Sequence, residues 1–254
     1  MENKVNLEEI QNLGDLKAHF SNQLPKHVGI ILDGNRRWIK KQGIADVTKG
    51  HLAGYQRLKK ILYPFFEAGI HYLTAYALSL ENVAKRSEQE VRFLFKLILK
   101  GVEDVISEPL IHEKKVRVRL IGHRRDLPQD IQDSIEKMNQ ATAHYSDNFI
   151  NFAVMYDGQE EIVDAVKSII KLGLKPEEIT REVFKQSLYT KDFPELDYLI
   201  RTGMEDGQRI SGFLIWDSSY AEFRFRTDLW PDYDETMILE DLKEYVRRNR
   251  RKGA

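Results

Sequence analysis

One carboxylate, one amide and two guanidinium groups crowd into Asp33-Gly34-Asn35-Arg36-Arg37-Trp38, directly after the apolar run 28–32. An acid beside two Arg on a flexible turn has the groups that a Mg2+–diphosphate pair needs. Mg2+ takes carboxylate oxygen and keeps substrate phosphates as co-ligands, and Arg presents a planar fork of donors to phosphate. The same residues also read as a tight turn with solvated charges, and on this stretch alone both readings stand. Four further clusters carry polar chemistry. Gly50-His51 falls at the expected start of a helix, where backbone N–H groups suit a diphosphate. Ser79-Leu80-Glu81-Asn82, with Arg86 close behind, reads first as a turn and helix cap. The stretch 197–211 holds Arg201, Arg209 and Ser211, which can bind a second anion or form a solvated loop. Glu222 sits in an otherwise apolar strand, where a carboxylate needs an Arg or a metal.

These clusters follow a regular alternation of elements. Short apolar or β-branched runs recur at 27–32, 71–78, 116–121, 149–155, 197–201 and 221–225, with helical periodicity between them. The alternation predicts an α/β fold with a central, mainly parallel sheet of about six strands flanked by helices. Most clusters then fall at carboxyl ends of strands, where ligands of such sheets sit. A helix is predicted over 51–69, with Gly69 closing it. Another is predicted over 87–107, where Ser87 and Glu90 form a capping box. Its Val91, Phe93, Leu94, Phe95, Leu97 and Ile98 make it apolar almost all round. Packing in the core is the ordinary reading, and lining an apolar cavity is the other. Further helices are expected over 128–144, 158–173 and 234–250, and a short amphipathic one over 5–20. With no repeat or Pro/Gly-rich linker, residues 1–254 read as one domain. Residues 1–24 read as a helical lid, and 234–254 as a C-terminal helix with a basic tail.

Composition excludes several classes. A net charge of −1 gives no global field for nucleic acid. The absence of Cys rules out disulfides, Cys-ligated zinc, iron–sulfur clusters and thiol nucleophiles, and fits a reducing cytoplasm. No run approaches the length of a membrane span, so contact with a membrane would be peripheral. The nucleotide-binding G-x-x-x-x-G-K-[ST] and G-x-G-x-x-G and the hydrolase G-x-S-x-G are missing. What remains suits an enzyme that joins apolar substrates bearing diphosphates.

At this point the motifs become specific. His27 to Trp38, Gly50-His51-x-x-Gly54, Tyr76 to Asn82, Arg201-Thr202-Gly203 with Arg209-Ile210-Ser211, and Trp216 with Tyr220-Ala221-Glu222 and Leu229 to Asp232 occur in order. The chain thereby resembles the cis-prenyltransferases, the undecaprenyl and dehydrodolichyl diphosphate synthases. The resemblance implies a homodimer with an apolar tunnel. It also implies Mg2+-dependent condensation of isopentenyl diphosphate with an allylic prenyl diphosphate, giving Z double bonds and releasing diphosphate. By motif position Asp33 would hold Mg2+, shared with Glu222. Gly34, Asn35, Arg36, Arg37 and Trp38 would cradle the allylic diphosphate, with His51 nearby. Arg201, Arg209 and Ser211 would hold isopentenyl diphosphate. Ser79, Asn82 and Arg86 would support the reacting centre, and Arg251 and Gly253 match the family's C-terminal R-x-G, which reaches the partner subunit.

Three features depart from the family pattern. Val47 stands where an Arg usually precedes the motif's His, Val83 replaces an aromatic, and the loop from Arg201 to Arg209 is longer, with Gly212 in place of Asn. Since the changes cluster around the acceptor, they imply altered acceptor use: non-head-to-tail condensation, or prenylation of an alcohol oxygen. A non-catalytic partner subunit is a further alternative, opposed by the retained Asp33.

Overall fold

The structure, a computed structural model, describes residues 6–248. All six runs form strands: β1 (His27–Ile31), β2 (Tyr72–Ser79), β3 (Val116–Ile121), β4 (Asn148–Tyr156), β5 (Tyr198–Arg201) and β6 (Glu222–Phe225). Around them lie α1 (Leu13–Phe20), α2 (Asn35–Lys41), α3 (Val47–Glu67), α4 (Leu80–Lys85) and α5 (Glu88–Ser107). Then follow α6 (Pro109–Glu113), α7 (Gln129–Thr142), α8 (Gly158–Leu172), α9 (Arg181–Ser187) and α10 (Glu235–Arg247). The strands pair in parallel in the order β3-β4-β2-β1-β5-β6. β1 is buried at every position, as a strand covered on both faces must be.

Topology places the crevice. From β1 the chain moves toward β2 on one side, and from β5 it moves toward β6 on the other. The loops after these two neighbours part, opening a cleft at their carboxyl ends. Ile31 pairs with Arg201 in register, so Asp33, just past β1, faces the end of β5.

Several helices differ from expectation. α3 begins at Val47, a turn before the predicted start, because Asp46 caps it by accepting from the Thr48 N–H at 3.0 Å. His51 therefore lies within the helix rather than at its amino end. α5 starts where predicted, with Ser87 Oγ accepting from the Glu90 N–H, but the Glu90 carboxylate turns inward to His51 instead of completing a capping box. Both readings of α5 hold: Leu94 and Val102 are buried in the core with Phe95, Leu99 and Ile106 packed against it, while Leu94, Leu97, Ile98, Val102 and Val105 border a cavity. The single helix expected over 5–20 splits into a 3-10 turn, Leu7–Glu9, and α1, since Asn12 caps α1 by accepting from the Asp15 N–H. This segment docks through buried Ile10, Leu13 and Leu16, and Lys243 donates to the Ile10 carbonyl. The tail residues Arg251 and Gly253 lie outside the described residues.

Inside the sheet, His27 is buried between β2 and the 193–197 segment. Its Nδ1–H donates to the Pro194 carbonyl at 2.9 Å, leaving Nε2 to accept from Thr74 Oγ1 at 2.8 Å. Burial pulls its pKa down to about 4. Above pH 6.5 folding therefore meets no cost at His27, whereas below it the unfolded chain binds a proton that the native state refuses. Stability from this group, about 3 kcal/mol, is present above pH 6.5 and is lost as pH falls toward 4. Denaturant titrations of His27→Gln should show a variant less stable than the parent at pH 7.5, with the gap narrowing as pH falls. A gap independent of pH contradicts the buried neutral imidazole.

Candidate active site

The crevice opens into a cavity of about 440 Å³ bounded by α3, α5 and the faces of β2, β3 and β4. Its mouth is polar and its depth apolar, with Leu58, Leu62, Leu94, Leu97, Ile98 and Phe152 along the walls. Such a shape fits a ligand with a charged head and a hydrocarbon body.

Asp33 stands at the mouth. Arg201 Nη2 donates to its Oδ2 at 3.0 Å, and Arg37 Nη2 lies 3.2 Å from Oδ1. Arg201 is 5% exposed, and its Nη1 also donates to the Arg209 carbonyl and to Ser211 Oγ. One buried guanidinium thus ties the loop after β1 to the loop after β5. Its Nε is buried without a hydrogen-bond partner, a donor left over at the site. Ser211 adopts φ +47°, and Tyr76 beneath it donates to the Tyr156 carbonyl at 3.0 Å.

A second cluster lies where the first turns of α5 meet α3 at His51. His51 Nε2–H donates to Glu90 Oε1 at 2.8 Å, and Arg86 Nη1 lies 3.2 Å from the same oxygen. Burial lowers the His51 pKa despite the opposing Glu90 contact, and burial likewise lowers that of Arg86. His51 is consequently a neutral donor near neutral pH. The charges of Arg36 and Asp33 reach Arg86, so this cluster adjoins the first.

Gly34 and Gly54 hold the turn close. Gly34 takes φ +117°, and a Cβ there would press on Leu229. A Cβ on Gly54 would overlap Asn35 Oδ1 and crowd Trp230 Cδ1, whose indole N–H donates to the Gly54 carbonyl. Gly54→Ala should therefore displace Asn35 and lower kcat/KM by about tenfold or more, read by steady-state kinetics, with cooperative unfolding retained. An unchanged kcat/KM would show that the Asn35 position is immaterial.

The predicted residues distribute unevenly. Asp33, Asn35, His51, Ser79, Asn82, Arg86, Arg201, Arg209 and Ser211 all border the cavity. Ser79 and Asn82 do so while also forming the cap expected of them, Ser79 Oγ accepting from the Asn82 N–H at 3.0 Å. Gly34, Arg36, Arg37 and Trp38 flank the mouth without lining it; Arg36 is exposed, and Trp38 donates to Asp232 Oδ1 at 2.7 Å. Glu222 is not brought to Asp33. It pairs with Tyr198 at the amino end of β5, three register positions, about 10 Å, behind Arg201, and Arg248 Nη1 holds it at 3.1 Å. Its partner is thus an Arg, the first of the two partners expected for a carboxylate in that apolar run. The sequence assigns no site role to Glu90, read there as half of a capping box, or to Tyr76, which enters only as the start of a motif.

A Mg2+ ion is compatible with the mouth. Among the described residues no group of three His, Cys, Asp or Glu gathers to cage a metal. Mg2+ needs less: one carboxylate completed by water and substrate phosphate, which Asp33 at an open mouth allows.

Known proteins match over most of the chain. Residues 31–253 fit the prenyltransferase family model described as undecaprenyl diphosphate synthase. The tritrans,polycis-undecaprenyl-diphosphate synthase (geranylgeranyl-diphosphate specific) of Pyrococcus horikoshii is 40% identical over 237 residues, covering 92% of this chain and 88% of that protein. An isoprenyl transferase of Fusobacterium nucleatum is 41% identical, covering 91% and 96%. The crystal structure of lavandulyl diphosphate synthase from Lavandula x intermedia, in complex with dimethylallyl diphosphate, superposes with a TM-score of 0.85 at 32% identity, covering 92% and 100%.

Proposed function

The chain belongs to the undecaprenyl diphosphate synthase family of prenyltransferases, and on that premise we propose that it condenses isopentenyl diphosphate with an allylic prenyl diphosphate to give a polyprenyl diphosphate. The observation that carries this reading is the polar mouth built on Asp33 and Arg201 over an apolar chamber. The allylic diphosphate lies against the α2 side, where Arg36, Arg37 and the Asn35 amide gather, with its chain in the chamber. Isopentenyl diphosphate lies against Arg201, Arg209 and Ser211. Asp33 holds Mg2+, which when bound supplies positive charge to the departing diphosphate. Fixed Arg donors stabilise the charge that develops there, and two adjacent anion sites hold the reacting carbons together. His51, kept neutral by burial, spends its Nε2–H on Glu90, and the lost proton is assigned in this reading to a diphosphate oxygen.

Geranylgeranyl diphosphate is the first starter to try, following the specificity named for the Pyrococcus relative. A second copy of the chain fits the apolar stripe on α8, where Val163, Val166 and Ile170 share one face and Ile170 is 72% exposed. Sedimentation of the purified protein reads the resulting homodimer.

A second reading concerns the acceptor. The loop between Arg201 and Arg209 is extended and partly exposed, and the Lavandula relative is named for a lavandulyl product and binds dimethylallyl diphosphate. Altered acceptor use would give adducts other than head-to-tail polyprenyl chains. The test is an allylic starter, Mg2+ and a panel of acceptors, with products read by mass spectrometry. Elongation from isopentenyl diphosphate supports the main reading; adducts with a second allylic diphosphate or an alcohol support the other.

A further inference from the structure

The chamber has one wall unlike the rest. Toward the sheet it is closed by Leu120, Phe152 and Val154, on strands locked into a ladder. Between α3 and α5, Tyr55, Lys59, Asp104 and Glu108 border the same apolar space. Tyr55 Oη donates to Asp104 Oδ2 at 2.5 Å, and Lys59 Nζ lies 3.0 Å from that oxygen and 3.7 Å from Glu108 Oε2. Gly101 leaves room for the ring: a Cβ there would lie 3.3 Å from Tyr55 Cε2. At its other end α5 is tied to α3 by Glu90 and His51. The helix is thus pinned at positions 90 and 104, with Leu94, Leu97 and Ile98 facing the chamber between.

The two pins differ in strength. Glu90 is 6% exposed and shared by His51 and Arg86, whereas the side chains of Lys59 and Asp104 are 43% and 25% exposed. An ion pair partly in water holds weakly. We infer that the Tyr55–Asp104–Lys59 clamp is a side gate that sets how long an apolar product grows before release. The inference rests on the elongation reading above. A chamber of about 440 Å³ accepts a short hydrocarbon, and each added prenyl unit needs more room. Ladder-bonded strands cannot give way, while burial of five further carbons outweighs a partly solvated clamp. α5 then lifts from α3 at Asp104 and pivots on the Glu90 pin.

Tyr55→Phe, which removes the phenol donor, and Asp104→Asn, which removes the charge paired with Lys59, test the gate with little change of shape. Given geranylgeranyl diphosphate, isopentenyl diphosphate and Mg2+, both should shift the product distribution upward by one prenyl unit or more. Asp104→Glu, which keeps the Lys59 pair, should return it toward the parent. Hydrogen exchange of amides 102–108 should quicken about tenfold in Asp104→Asn, a readout that needs no turnover. Unchanged or shorter products from both variants overturn the gate, as does unchanged exchange. A parent enzyme that leaves every starter unelongated fails the elongation reading and takes the gate with it, an outcome told apart by the parent's missing product.

Discussion

Replacing Asp33 by Ala is expected to lower turnover by roughly three orders of magnitude while the protein still folds. The size follows from what the carboxylate does at the mouth. Among the described residues it is the one acidic group joined to both Arg201 and Arg37, so its loss removes the anchor proposed for Mg2+ and frees a contact of two guanidinium groups. The fold survives because Asp33 keeps a third of its side chain exposed, and its backbone carbonyl, which accepts from Thr202 Oγ1 and the Trp230 N–H, remains. The loss of stability should be about 1–2 kcal/mol, read as a small fall in Tm. Asp33→Asn separates charge from shape and should be nearly as inactive. Wild-type turnover in either variant refutes a metal or ionisation role for Asp33.

Arg201→Lys carries the second large effect. A Lys keeps the charge but cannot span the three acceptors that the guanidinium joins: Asp33 Oδ2, the Arg209 carbonyl and Ser211 Oγ. The 209–211 loop then loses its link to the loop after β1. At a buried site this should cost roughly 2–4 kcal/mol, a loss of about a hundredfold in kcat/KM. The loss should fall chiefly on the KM for isopentenyl diphosphate, with the KM for the allylic starter changed less. Equal changes in both KM values would contradict the division into two anion sites.

The sheet was legible because its signal is strong and local. Apolar, β-branched runs such as 27–32 and 116–121 can satisfy their backbones and bury their side chains only as strands of a covered sheet. The mouth was legible for a related reason: Asp33, Ser79 and Arg201 sit just past or at the ends of such runs, and topology does the rest. Two features were hidden. The inward face of α5 looks the same in sequence whether it packs on a core or borders a chamber, since both need apolar side chains. Glu90 occupies the third position of the helix, where a capping box explains it locally, while its real partners, His51 and Arg86, depend on how α3 and α5 meet. Glu222 shows the converse. Its need for a partner was visible, but only the register of β6 shows that Arg248 supplies it and that Asp33 lies at the other end of the strands.

At this site an allylic diphosphate should ionise, hand its allylic cation to isopentenyl diphosphate and leave diphosphate to be released. The most direct test incubates the purified chain with geranylgeranyl diphosphate, labelled isopentenyl diphosphate and Mg2+, counting diphosphate released against label incorporated. The account predicts one diphosphate released for each unit added, a lengthened chain with Z double bonds in the new units, and loss of both signals when the metal is chelated. Release of diphosphate without incorporation, or no release from any allylic starter, would contradict it.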